Sequence, residues 1–353
     1  MIPLPPAKAA APAIFVFGDS TADVGTNSFL PGSEIRANFP HNGVDFPHSR
    51  ATGRFSNGLI GVDFLAKYFG YKRSPPRYLS LNSTTLKKRS FTGINFASAG
   101  AGVFDIPGQS MLTLMNFGKE KIPFSTSSNN QKNFVTMREQ AEQFLTVRDN
   151  VLDKMVSAAT KKFLSKCLFF ISIGSNAILA YYHSRKSIPK TEFLDRLGLA
   201  YRTHLKSLLN LGAIKFGIIS VAPLGCCPSQ RVSNDSEGCL EDLNELLDSM
   251  LWDLSLEHED MKYSLGNAYE MTINVIGNPS AFEFKDVKSA CCGAGKFNAT
   301  TICNKQSNLC LKRDDYLFWD SFHPTHTASK LAAITLFSGP PRFVTPINFS
   351  QLA

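Results

Sequence analysis

Ser20 follows an apolar run, Ala13 to Phe17, that breaks at Gly18, so Gly18-Asp19-Ser20 sets a hydroxyl at the carboxyl end of a buried strand. A serine there acts as a nucleophile if a base reaches it, and as a plain N-cap if none does. A base is on offer near the other end of the chain, in Trp319-Asp320-Ser321-Phe322-His323-Pro324-Thr325. An aspartate three positions before a histidine, with proline holding the turn, can fold its carboxylate onto one imidazole nitrogen and leave the other facing a hydroxyl. The competing reading is a surface turn with a solvated histidine. Two further segments carry hydrogen-bond donors at strand ends. The small-residue turn Gly93 to Gly102 (GINFASAGAG) can point the Gly100 N–H at an anion, and Gly174-Ser175-Asn176 projects an amide over the same sheet edge. Each also has a plainer reading, a bend at Gly100 and a turn or helix cap at Asn176. Acyl transfer needs these parts together: nucleophile, base, base orienter, and two or three donors for the developing oxyanion. The remaining histidines, His41, His48, His183, His204, His258 and His326, lack such spacing and read mostly as surface or packing residues.

Such groups need a rigid platform, and the order of elements supplies one. Apolar runs at Ala13–Phe17, Cys167–Ile173 and Phe216–Val221 read as buried strands, with weaker candidates at Ser90–Phe96 and Met261–Leu265. Helical periodicity runs through Leu59–Phe69, Asn133–Leu164, Lys190–Leu211, Leu240–Glu259 and Thr327–Phe337. Strands alternating with helices imply right-handed crossovers onto a mostly parallel sheet covered on both faces, with sites at the strands' carboxyl ends. The Pro-, Gly-, His- and Asn-rich stretch Asn27–Arg54 and the aperiodic stretch Phe104–Gln131 follow strand ends and are candidate cleft walls. With Ser20 and His323 at opposite ends, residues 13–340 must close as one domain, leaving 1–12 and 341–353 as tails.

Composition excludes other classes. The 353 residues are 43% hydrophobic and 19% charged, with 24 Gly and 19 Pro, as in a protein with an ample core. The net charge of +8 is spread without a dense Lys/Arg run, which argues against nucleic acid and for mild attraction to acidic polysaccharide. No apolar run is long enough to span a membrane. The first ten residues lack the apolar segment of a signal peptide and argue for neither export nor retention. Seven of the eight cysteines, Cys226, Cys227, Cys239, Cys291, Cys292, Cys303 and Cys310, fall in one region without CxxC pairs or a histidine at metal-ligand spacing, which reads as disulfides and not as a metal site. Cys167, alone in an apolar run, reads as a buried free thiol. Sequons at Asn82, Asn234, Asn298 and Asn348 join the cysteines in pointing to a secreted glycoprotein.

The joint pattern resembles the GDSL (SGNH) hydrolases, and more narrowly the plant GDSL esterase/lipases. The likeness rests on FGDSTADVGTN (Phe17–Asn27), TGRFSNG (Thr52–Gly58), GINFASAGAG (Gly93–Gly102), ISIGSN (Ile171–Asn176), PLGCCPSQR (Pro223–Arg231), ACCGAG (Ala290–Gly295) and FWDSFHPT (Phe318–Thr325). The resemblance implies an α/β fold, a flavodoxin-like three-layer α/β/α sandwich with a mostly parallel sheet. It implies Ser20 as nucleophile, His323 as base and acid, and Asp320 as orienter, with an oxyanion hole of the Ser20 and Gly100 N–H groups and the Asn176 amide. No G-x-S-x-G is present, so an α/β-hydrolase elbow is not the scaffold. The family's G-x-N-D block reads Gly174-Ser175-Asn176-Ala177 here, which implies altered positioning or substrate preference, and Thr21-Ala22 replaces a bulkier pair after the serine. Cys226 or Cys227 is expected to pair with Cys239, and Cys291 and Cys292 with Cys303 and Cys310 in some order. The expected protein is a secreted, monomeric, cofactor-free esterase of the plant cell wall whose partner is an ester substrate, an acylated polysaccharide, lipid or phenolic ester. The absence of an evident long apolar lid helix favours acetyl or other short acyl esters of wall polysaccharide or a plant metabolite. An acyltransferase using the same triad and a non-catalytic glycan- or lipid-binding module are the alternatives.

Overall fold

The computed structural model describes residues 13–89, 92–104, 133–149, 157–183, 188–232 and 242–353. Its central sheet has five strands in the order β1 (Ile14–Gly18), β2 (Leu168–Ser172), β3 (Lys215–Ile219), β4 (Lys262–Gly266) and β9 (Val344–Thr345), with β1 to β4 parallel and β9 antiparallel at the edge. Alternation along each strand explains the layering. Phe15 and Phe17 of β1 and Phe169 and Ile171 of β2 enter one hydrophobic cluster, while Ile14, Val16, Leu168 and Phe170 enter another on the opposite face. Helices α3 (Met137–Val147), α4 (Ser157–Leu164), α5 (Ser175–His183), α6 (Lys190–Asn210) and α8 (Asp242–Glu257) cover the first face. Helices α1 (Gly61–Tyr68) and α10 (His326–Ser338) cover the second, joined by Met271 of α9 (Ala268–Gly277). Helices α2 (Ser83–Arg89) and α7 (Pro228–Val232) are short. Among the described residues this is an α/β three-layer sandwich.

Two small sheets sit beyond the main one: β5 (Asp286–Ala290) with β8 (Tyr316–Phe318), parallel, and β6 (Cys292–Gly293) with β7 (Asn308–Leu309), antiparallel. Disulfides Cys291–Cys310 and Cys292–Cys303 staple this region, resolving the expected order of pairing. Cys167 is a free, fully buried thiol. Cys239 lies outside the described residues, as do Asn234 and most of the stretch Phe104–Gln131.

Three expectations are corrected. Residues 341–353 are not a tail: β9 pairs with β4, and Phe349 and Leu352 are fully buried, with the Phe349 ring packed over Gly217 of β3. Ser90–Phe96 forms no strand among its described residues; Asn95 makes isolated parallel bridges to Val16 and Arg77 instead. The periodicity over Asn133–Leu164 is carried by two helices, α3 and α4, with 150–156 outside the described residues. The first of these starts at a capping box, in which Thr136 and Glu139 satisfy each other's backbone N–H.

Candidate active site

β1 and β2 approach so closely at their carboxyl ends that a Cβ on Gly18, at φ +144°, would lie 2.1 Å from the Ser172 carbonyl oxygen. The Gln140 side chain of α3 completes this strand end, its Oε1 accepting the Gly18 N–H (2.8 Å) and its Nε2 donating to the Gly18 carbonyl (2.9 Å). Immediately beyond, the chain turns over the sheet edge, with the N–H groups of Ala22 and Asp23 donating to the Asp19 carbonyl. Ser20 projects from this turn. Its Oγ is 2.7 Å from His323 Nε2, although the two residues are 303 positions apart.

His323 is set by a second turn. Asp320 Oδ1 accepts the backbone N–H groups of Phe322 and His323 at 2.9 and 2.8 Å, and both carboxylate oxygens lie 2.9 Å from His323 Nδ1. Nδ1 therefore carries the proton toward Asp320, and Nε2 presents its lone pair to Ser20. Burial opposes protonation of this imidazole, but the Asp320 charge, its hydrogen bond and the charge of Asp19 prevail and raise the His323 pKa above its ordinary 6.5. Below the turn, the fully buried Trp319 donates its indole N–H to Asn42 Oδ1 (2.9 Å) and packs in one cluster with Cys291, Cys292 and Cys303. The disulfides thus brace the segment that carries Asp320 and His323.

The donors come from the neighbouring strand ends. Gly100 holds φ +89°, with Ile35 Cδ1 2.7 Å from where a Cβ would stand. Asn176, at the start of α5, donates one amide hydrogen to the Ala101 carbonyl (2.7 Å), which fixes the side chain beside Gly100 and leaves its second hydrogen. Neither the Ser20 nor the Gly100 backbone N–H is taken by an acceptor among the described residues. Ala177 is buried in the core cluster. Ser20, Gly100, Asn176 and His323 line a common cavity of about 400 Å³. No group of three His, Cys, Asp or Glu among the described residues could hold a metal ion.

Several contributors were not singled out in the sequence. Asp19 is buried; its Oδ1 accepts the Thr21 N–H and Oγ1–H, its Oδ2 has no partner, and burial raises its pKa. Asp23 accepts from Gly25, Thr26 and Ala99, tying the Ser20 turn to the Gly100 segment. The Phe55 ring packs against His323, centroids 4.9 Å apart, on a loop anchored by the buried pair Arg54–Asp63. His326, expected as a surface or packing residue, accepts the Leu59 N–H at Nδ1 (2.9 Å), and its own N–H donates to Asn57. Burial lowers its pKa with help from Lys67 and Lys330, against Asp314 and Asp45. Only its fold partner, 267 positions away, reveals this role.

Comparison with known proteins is decisive at this point: residues 14–336 match the family model of the GDSL-like lipases/acylhydrolases. The chain belongs to the GDSL lipase/acylhydrolase family. Among its relatives, one GDSL esterase/lipase of Arabidopsis thaliana is 35% identical over 362 residues, covering 98% of this chain and 90% of the relative. A second from the same plant is 31% identical over 345 residues, covering 94% and 90%. GDSL esterase/lipase 7, also of Arabidopsis thaliana, is 33% identical over 361 residues, covering 97% and 92%. As a member of this GDSL family the protein is a carboxylic ester hydrolase, and its substrates are esters. No helix among its described residues is long and apolar enough to cross a membrane.

Proposed function

We propose that the protein is a secreted, monomeric serine esterase that works through an acyl-enzyme on Ser20. The observation that carries this reading is the Ser20 Oγ–His323 Nε2 contact of 2.7 Å backed by Asp320 on Nδ1. In the first half-reaction His323 takes the Ser20 proton as Oγ bonds to the ester carbonyl carbon. The oxyanion is received by the Ser20 and Gly100 N–H groups and the free amide hydrogen of Asn176. His323 then returns the proton to the departing alcohol as the ester C–O bond breaks. Water, deprotonated by His323, reverses the sequence and releases the acid. Thr21, linked to Asp19 and, at 2.7 Å, to Ser172 Oγ, keeps the nucleophile turn in register with β2.

Secretion is supported by the two disulfides and by the exposed sequon at Asn82. Asn298 suits glycosylation less, because its amide donates to the Ala290 carbonyl (3.1 Å). Asn348 uses its Oδ1 to accept from Ser350 while leaving its amide nitrogen out of that bond. Ser20→Ala and His323→Ala should each lower kcat on a chromogenic ester by several orders of magnitude, the double variant little further, because such residues act as a unit. Full activity in Ser20→Ala would remove the reading.

A further inference from the structure

We propose that the arm of the cavity between α9 and α10 is a channel for a linear acyl chain, so that the preferred substrates are esters of unbranched acids of about eight carbons or more. This rests on Ser20 being the acylated residue, and it departs from the short acyl groups expected from the sequence. The arm begins at Ser20 and His323 and passes the ends of β3 and β4. Met271 and Val275, four positions apart on α9, form one wall; Ala328, Ala332 and Thr335 of α10 form the other. Met271 belongs to the cluster under the sheet, whereas Val275 and Ala328 belong to a separate cluster with Leu317 and Phe318. The arm is therefore the seam between two hydrophobic clusters, which α10 lines with the small residues Ala328, Ala332 and Thr335 and with Leu331 and Leu336.

The lining of this arm is predominantly apolar, its polar members being Thr272 and Asn274 of α9, Ser329 and Thr335 of α10, and Ser220. No side chain that lines this arm is charged. Ser220 Oγ accepts the Ala268 N–H and Thr335 Oγ1 donates to the Leu331 carbonyl, so both are engaged with the backbone, whereas the buried Ser329 Oγ has no partner among the described residues. Apart from Asp320 and His323, the cavity's acidic and basic residues are Glu34 and Arg36, which stand on the loop wall beside Gly100, where Ile35 makes its contact, a setting for a polar alcohol part. From Ala328 to Thr335 the helix rises about 10 Å, which matches an extended chain of about eight methylenes. Each methylene taken out of water is worth about four-fold in binding.

The test measures kcat/KM for p-nitrophenyl esters from acetyl to dodecanoyl, below their aggregation limits, in the wild type and in Ala332→Phe and Thr335→Leu. Dodecanoate binding to Ser20→Ala is measured by calorimetry in parallel. The expected result is a rise of at least a hundred-fold from acetyl to octanoyl. Either channel variant should cut the octanoyl-to-acetyl ratio at least ten-fold, and should weaken dodecanoate binding when combined with Ser20→Ala. A profile that peaks at acetyl or propionyl, or a ratio unmoved by both variants, overturns the channel while leaving the Ser20 reading intact. Loss of all ester turnover in folded wild-type protein, with dodecanoate still bound, would overturn the Ser20 reading and spare the channel.

Discussion

Asp320→Asn separates the geometry of the His323 turn from its electrostatics. The carboxylate does two things: Oδ1 accepts the Phe322 and His323 N–H groups, and both oxygens face His323 Nδ1. Asparagine keeps a carbonyl oxygen for the two backbone donors, so the turn survives. Its amide hydrogens then confront Nδ1, which can only accept them by giving up its own proton. The imidazole proton moves to Nε2, the atom 2.7 Å from Ser20 Oγ, and the lone pair that should receive the serine proton is gone. A wrong-tautomer defect of this kind costs about 10,000-fold in kcat, or about 5 kcal/mol of barrier. Loss of the Asp320 charge also lowers the His323 pKa, whose elevation depends on it. The assay is kcat against pH on a soluble ester, with thermal unfolding of the same samples. Activity within ten-fold of wild type in a folded variant refutes the reasoning, and so does an unfolding midpoint that collapses with it, since that would make Asp320 a scaffold residue only.

Asp19→Asn removes a buried carboxylate with an unpartnered oxygen. Because its folded pKa is raised, the stability Asp19 contributes is fully present below its unfolded value and is lost as pH rises through the raised folded value, so at neutral pH the variant gains about 1 kcal/mol, or about 2 °C in Tm. Its kcat profile should shift to lower pH, since the Asp19 charge helps raise the His323 pKa; an unchanged acid limb contradicts this. Because His326 has a lowered folded pKa, its contribution is present above 6.5 and is lost as pH falls through the lowered value. Unfolding midpoints at pH 7 and pH 5 should therefore differ less in His326→Asn than in wild type. Replacing Cys292 and Cys303 by serine opens a bridge between residues 11 apart in sequence and should cost about 3 kcal/mol in denaturant titrations. That double variant should also lose activity, because Trp319 packs on the bridge and leads directly into the Asp320–His323 turn.

The strands at 14–18 and 168–172 were legible because each is buried on both faces and reads as an uninterrupted apolar run, and 215–219 nearly so after Lys215, whereas 262–266, with Lys262 exposed and Ser264 in its middle, gave only a weak signal. Ser20, Asp320 and His323 could be singled out for the same local reason: each lies just past such a run or inside a short turn. What stayed hidden depends on tertiary contact. Val344 and Phe349 carry too little pattern to announce an edge strand and a core anchor, yet the open side of β4 and the bare surface of Gly217 give them partners. The hydrogen bond from Leu59 to His326 has no sequence signature. Nor does the channel, which arises only where Ala332 and Thr335 come to face Met271 and Val275. The single expected helix over Asn133–Leu164 shows the converse, a continuous periodicity carried by two separate helices.

The central claim is that Ser20 becomes acylated. A fluorophosphonate incubated with the wild type, followed by peptide mass spectrometry, tests it most directly. One adduct on Ser20, appearing in step with the loss of ester turnover and abolished in His323→Ala, is the predicted result. Inactivation with the label on another residue, or no adduct in protein that still hydrolyses esters, would contradict it.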